Sequence, residues 1–366
     1  MNRQKQVFLH IGFPKTGTTS IQLFLRDHSE MLKRGGIIYP EFTTHVPGTG
    51  LHTALLTALL REIPAHLSAM DPAANREELT KMLAEFERSD DRCLILSHES
   101  LSMNPHLNFD LLKEFLRPFD VTVAAWIRRL DDWLESYYDW ALRSRHTAVT
   151  TPETFGPIAH MNRHTFLSSL RHWREAFPRA RFSVRSYDRA GRGLLEDFAD
   201  TAGLRGIPGL IPEARGYRVA NAGLDKRDAL FLSEISRKLE AESDRNLPFF
   251  SFLTKRFRRQ EGTAELKRRI ASALTKRNEA GGNHPLGDFR AGLLGNELRR
   301  EARAIWNREQ PGLAGEFGLD SDLLPETDIP ENVTRLTNDQ LFLMIKALDG
   351  KIDGTDLRHL RKTVRL

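Results

Sequence analysis

A chain of 366 residues, 40% hydrophobic and 28% charged, is long enough to bury a full core. Its one cysteine, Cys93, excludes an internal disulfide and any cysteine-ligated metal cluster, and in a strand-like run it reads as a small core residue. A formal charge of +5 suits an anionic small molecule, and no nucleic-acid partner is expected. There is no apolar run of about 18 residues, and the polar start passes straight into a strand, so the expectation is a cytoplasmic protein without a transmembrane segment.

In chain order, "VFLHI" at 7–11 is a short apolar strand ended by Gly12, Phe13 and Pro14. A loop comes next, then a helix on which Ile21, Leu25 and Leu32 recur until Gly35 and Gly36 stop it. "PEFTTHVPGTG" reads as an irregular loop, and "LHTALLTALL" begins a helix with His52 at its start. "REELTKMLAEFER" sets Leu79, Met82, Leu83 and Phe86 on one helical face. Strands are expected at 93–97 ("CLILS"), 121–127 ("VTVAAWI") and 181–187 ("RFSVRSY"). Between them lie helices near 107–117 and in "LDDWLESYYDWALRS", and "GLLEDFADTAGL" comes after the last strand. Apolar strands alternating with helices imply a parallel sheet covered on both faces. From about residue 210 the chain is charged and helical, near 224–240, 261–278 and 294–310. The expected division is an α/β core over 1–209, a helical region over 210–331 and a helical tail over 332–366.

The stretch "HIGFPKTGTTSIQ" carries the first chemistry. Gly12 and Gly17 have the GxxxxG spacing of a loop whose backbone N–H groups surround phosphate oxygens, with the next helix aiming its positive end at them. An NTPase places lysine and a magnesium-binding hydroxyl residue after the second glycine, whereas this loop has Thr18 and Thr19 there and its lysine at Lys15. Thr18, Thr19 and Ser20 bring hydroxyls that serve an anion or cap the helix. "LILSHES" offers Glu99 just past a strand, while "AAWIRRL" ends in Arg128 and Arg129, which suit a second anionic group better than a metal.

These residues resemble a known family. "FPKTGTTSIQ" resembles the loop that binds the 5'-phosphosulfate in sulfotransferases using 3'-phosphoadenosine 5'-phosphosulfate (PAPS), and "RRLDDWLESYY" resembles their 3'-phosphate motif. The resemblance implies a PAPS site made of Pro14, Lys15, Thr16, Gly17, Thr18, Thr19 and Ser20 together with Arg128 and, eight positions on, Ser136. Leu130 stands where the family usually has proline, and Trp133 where a second arginine is frequent. The likeness spans roughly 7–204, and "YRVANAGL" is similar to a segment of bacterial members of carbohydrate type. It implies an α/β, P-loop-type three-layer fold with a central parallel sheet and a mostly helical C-terminal region, PAPS as donor, and a carbohydrate or glycan acceptor. Sulfuryl transfer leaves a phosphate that Lys15 can neutralise directly, so no metal is expected.

The acceptor must lose a proton, and three side chains are candidate bases. His98 lies where cytosolic members of the family carry their catalytic histidine, with Leu96 in place of the usual lysine two residues earlier. Glu99 resembles the acidic residue of bacterial members, and His52 opens the helix where glutamate-using glycan enzymes place their base. The reading favours His98 with Glu99 as partner and His52 as rival; each also has an ordinary structural role as a cap or loop anchor. Trp126, Trp133, Tyr137, Tyr138 and Trp140 read as core before ligand platform, Arg185 and Tyr187 as cleft lining or a structural ion pair, and the basic run at 255–277 as a solvated helix face. Two other readings compete: a P-loop kinase or NTPase with Glu99 or Asp131 on magnesium, and a noncatalytic nucleotide-binding module.

Overall fold

The computed structural model describes residues 5–42, 52–64, 67–143, 152, 161, 165–190, 193–217, 225–244, 252–279, 284–286, 293–319 and 335–365. Most of the loop expected at 40–50 and all of "YRVANAGL" after Tyr217 lie outside them. The chain forms two compact units, one of residues 1–129, 164–220 and 306–325 and one of residues 130–163, 221–305 and 326–366. This grouping reflects contacts, whereas the division at 209 and 331 reflects composition.

The first unit holds a five-stranded, all-parallel sheet in the order β2-β3-β1-β4-β5, formed by β1 (Gln6–His10), β2 (Ile37–Ile38), β3 (Cys93–Ser97), β4 (Asp120–Ile127) and β5 (Arg181–Ser186). The protein is therefore α/β with a central parallel sheet, as expected, with β2 as an additional strand. Two residues, Ile37 and Ile38, are too few to show a period in sequence. β3 is buried along its whole length, while β5, at the sheet edge, is buried only at Val184 and Ser186.

Its helices are α1 (Thr18–Asp27), α2 (Ser29–Arg34), α3 (Thr53–Leu59), α4 (Pro72–Arg88) and α5 (Phe109–Leu116) in the first part of the chain. The one helix expected from the loop to Gly35 is broken at His28, whose backbone leaves helical geometry (φ −113°, ψ 18°) and whose ring bonds the Phe24 carbonyl at 2.8 Å. Phe8, Phe24, Trp126 and Phe198 pack together with Ile21 and Ile95 on one face of the sheet. Each such ring contributes about 1.5–3 kcal/mol by leaving water. Val7, Leu9, Leu94 and Leu96 alternate with that set and are equally buried, so both faces are covered.

The chain continues with α6 (Leu130–Arg143), α7 (Phe166–Ala176), α8 (Tyr187–Ala190), α9 (Leu194–Thr201) and α10 (Leu210–Gly216). Of these, α7, α8 and α10 are additional to the expected elements, and Tyr187, expected to end the last strand, begins α8. A capping box starts α7: the Thr165 side chain accepts from the Ser168 N–H, and the Ser168 side chain accepts from the Thr165 N–H. Phe166, Leu170 and Trp173 then form its buried face.

The described elements of the second unit are helical: α6, α11 (Lys226–Asp244), α12 (Phe252–Glu279), the first half of α13 (Asn296–Phe317), α14 (Asn338–Ala347) and α15 (Gly354–Arg365). Here α11 packs on α6, α12 and α15 around Phe231, Ile235, Ile270 and Leu360. Trp133 and Tyr138 of α6 are core residues, the Tyr138 hydroxyl lying 3.0 Å from that of Ser233, while Trp140 is exposed. Asp131 is fully buried and ion-paired to Arg303 at 3.0 Å and to Arg299 at 3.6 Å, and Arg299 also reaches Glu135 at 3.7 Å. A second buried carboxylate, Asp228, takes hydrogen bonds from Arg277 and Asn278 and faces His284 at 3.2 Å.

Candidate active site

Parallel pairing fixes the site. His10 lies opposite Ser97 of β3 on one side and Ala124 of β4 on the other, so β1 and β3 end at one level and β4 runs three residues further. Because the strands are parallel, the segments leaving their carboxyl ends all emerge at one edge of the sheet, the edge where open α/β sheets hold ligands. The Gly12–Gly17 loop leaves β1, His98 and Glu99 lie just past β3, Arg128 just past β4 and Tyr187 just past β5.

The loop is tightly specified. Lys15 and Gly17 both adopt left-handed backbone, at φ 64° and 82°. Glycine is required at 17 twice over: by that φ, and because a Cβ would lie 2.2 Å from Leu194 Cδ2 and 3.1 Å from Tyr187 Cε2. At Gly12 a Cβ would lie 2.5 Å from Thr18 Oγ1. Thr16 is fully buried and its hydroxyl donates to the Phe13 carbonyl at 2.7 Å, which closes the turn. Thr18 is buried as well, Ser20 half-buried and Thr19 exposed. Gly17 at the N-cap of α1 supplies no side-chain hydrogen bond, and the first turn holds no acidic residue, so the positive dipole end of α1 suits an anion.

The three candidate bases differ sharply. His52 lies at the left-handed N-cap of α3 (φ 61°), buried and stacked on Tyr39 at 4.4 Å between centroids. Its Nδ1 accepts from the Ser97 N–H at 3.3 Å and its Nε2 donates to the Pro40 carbonyl at 2.8 Å, so both ring nitrogens are engaged. Burial pushes its pKa down to about 4. His98 is also buried; its Nδ1 accepts from the Ser100 N–H at 3.0 Å, which leaves the ring proton on Nε2. Burial, with the neighbouring His52, pushes the His98 pKa down to about 3. Glu99 heads a short 3-10 turn and is half-buried; burial raises its carboxyl above the ordinary carboxylate range while the Lys15 charge pulls it back. Lys15 and Glu99 therefore sense each other.

Arg128 is held by Asp188 at 3.5 Å, and the same carboxylate accepts from the Arg129 N–H at 3.2 Å. The Arg128 guanidinium lies 5.2 Å over the ring of Tyr187, the ring that also walls Gly17. One side chain thus links the loop to the arginine. Ser136 belongs to α6 of the second unit and is half-buried. Arg185 is paired with Asp197, which also takes the Trp126 indole N–H at 2.8 Å, so the ion-pair reading of Arg185 holds. Among the described residues no group of three or more histidine, cysteine, aspartate or glutamate side chains could hold a metal ion. Asp131, the alternative magnesium ligand, is committed to two arginines.

Sequence reasoning passed over His10 and Asp188. His10 is fully buried at the end of β1, its Nδ1 2.8 Å from the Ser97 hydroxyl, and burial pushes its pKa down to about 3. A histidine closing an otherwise apolar strand just before a glycine loop was the available signal. Gln22 completes the group, donating to the Ser97 carbonyl at 2.9 Å.

No family model matches the chain. An uncharacterized protein of Archaeoglobus fulgidus is 31% identical over 175 residues, which is 46% of this chain and 45% of that protein, so the match spans less than half the relative's length. A crystal structure of a sulfotransferase from Alicyclobacillus acidocaldarius is similar over 68% of this chain and 98% of its own, with a TM-score of 0.37 and 14% identity. No helix among the described residues is long and apolar enough to cross a membrane.

Proposed function

We propose that the protein transfers a sulfuryl group from PAPS to a hydroxyl of a carbohydrate or glycan, with an amine as the alternative acceptor group. The observation that carries the reading is the left-handed Lys15 to Gly17 turn on the uncapped end of α1, with the Lys15 charge acting on Glu99. The loop amides and Lys15 receive the 5'-phosphosulfate, and Arg128, tied to the same loop through Tyr187, receives the 3'-phosphate. Two anionic ends then meet two cationic sites at one sheet edge.

In the step itself the acceptor oxygen forms a bond to sulfur as the bond from sulfur to the bridging oxygen breaks, and the acceptor proton passes to the base. Adenosine 3',5'-bisphosphate leaves with the electron pair, which Lys15 stabilises without a metal. We assign the base to Glu99. Its raised pKa makes it a stronger base than an ordinary carboxylate, whereas His98 presents an N–H and His52 has no ring nitrogen to spare. His98 in this reading donates from Nε2, and Glu99 takes the proton.

Calorimetric titration with adenosine 3',5'-bisphosphate, compared with ATP plus magnesium, tests the donor. Binding of the bisphosphate without metal is the expected result. Binding only of ATP, and only with magnesium, would return the chain to the kinase reading.

A further inference from the structure

A cavity of about 650 Å³ opens in the first unit between the segment just past Glu99 and helix α7. Its size is that of a small-molecule site. We infer that it holds an uncharged sugar unit. That the sugar is the sulfuryl acceptor rests on the proposed sulfuryl transfer; that it binds does not.

The lining shows why. On one wall the exposed Asp110 lies between Lys113 at 2.9 Å and Arg61 at 3.8 Å, so the three side chains together carry a single net positive charge. Glu175, from the last turn of α7, has no ion-pair partner among the described residues and balances the remaining positive charge. An acidic ligand gains little from such a site, whereas a carboxylate with two free oxygens can accept from neighbouring hydroxyls. Asn104 uses its Oδ1 on the His106 N–H at 2.9 Å and keeps its NH2 to donate. Phe109, set edge-on against His172 at 4.8 Å, and Met103 supply apolar surface for the C–H face of a sugar ring. Polar groups converging over apolar surface are what a neutral polyol needs.

The walls are also preorganised. Thr165 and Ser168 are fixed in the capping box of α7, and the Ser169 hydroxyl donates to the Ser102 carbonyl. Ser102 in turn donates from its hydroxyl to the Glu99 carbonyl at 3.0 Å, so the cavity wall is pinned to the turn that carries the proposed base.

Saturation-transfer NMR on the full chain, with cellobiose, maltose, lactose and diacetylchitobiose each at about 10 mM, reads affinities in the millimolar range. The expected result is saturation of at least one neutral disaccharide, weakened tenfold or more by Glu175→Ala and by the cavity-filling Ala176→Trp, and unaffected by the distant exposed Glu87→Ala. No saturation of any of the four, equal binding in Glu175→Ala, or tighter binding of a sulfated uronate disaccharide than of every neutral one would overturn the inference. Repeating the titration with adenosine 3',5'-bisphosphate separates the two claims. Sugar binding without bisphosphate binding sinks the donor reading and leaves the sugar site standing; bisphosphate binding without sugar binding does the reverse.

Discussion

The two units bury polarity in opposite ways. Around β1 the first unit encloses neutral groups: His10, His52, His98, Thr16, Gln22 and Ser97, joined by hydrogen bonds to one another and to backbone. The second encloses charge: Asp131 with Arg299 and Arg303, and Asp228 with Arg277. Neutral buried groups tolerate a dry, anion-binding surface but resist protonation, whereas buried ion pairs resist screening and punish loss of one partner. The units should therefore fail under different stresses.

Acid should separate them most. A histidine of pKa about 3 or 4 when folded and about 6.5 when unfolded gives its full contribution above pH 6.5 and loses it as pH falls toward the folded value. At pH 5 this costs roughly 2 kcal/mol for each of the three, a large part of a domain's stability. In the second unit Asp225, held down to about 2 chiefly by its hydrogen bond from Arg227, loses its contribution only below about pH 4. His284 there, lowered by burial against support from Asp228, shares the earlier window. Hydrogen exchange followed peptide by peptide should show β1 and β3 losing protection at pH 5 before α11 and α12. Simultaneous loss would break the contrast.

Substitution at the proposed base comes next. Glu99→Gln should lower turnover 10²–10⁴-fold with bisphosphate affinity and melting temperature nearly unchanged. In the wild type the rate should rise with pH through an inflection above the usual glutamate range, since the carboxylate is the active form and burial raises its pKa. If His98→Ala loses turnover to that extent and Glu99→Gln does not, the base is the histidine after all.

The converse holds in the second unit. Asp228→Ala strips Arg277 of its buried partner and should cost about 3–5 kcal/mol of stability, read by urea denaturation and little affected by salt. A change below about 1 kcal/mol would mean that water already reaches that pair. Smaller effects belong to the proposed donor site: Lys15→Ala and Arg128→Ala should each weaken adenosine 3',5'-bisphosphate by about 1.5–3 kcal/mol in calorimetry.

How much of this was legible in sequence depends on the range of each cause. The loop, β1, β3, β4 and most helices were readable because apolar periodicity and glycine spacing act over a few residues. β2 escaped because two residues carry no period, and α7 because its Thr165–Ser168 cap and its apolar face needed to be read together. The candidate histidines were placed correctly at strand and helix ends, but their hydrogen-bond states were not readable. Whether His98 offers a lone pair or a proton is decided by the Ser100 amide, and His52 is engaged by Pro40 and Ser97, contacts that only folding creates.

The sheet order also sets a sequence of events in time. β1 lies at the centre of the sheet, yet its side-chain partners come from far along the chain: His10 meets Ser97 across 87 residues and Gln6 meets Thr122 across 116. Closing such loops precedes any reward from pairing, so the central strands come together slowly and the anion loop acquires its shape only with them. A nascent chain would carry the whole glycine loop long before that loop could hold its left-handed turn. On the proposed function, adenosine 3',5'-bisphosphate added during refolding should leave the folding rate unchanged and slow only unfolding, because it would recognise a geometry that is complete only in the assembled sheet.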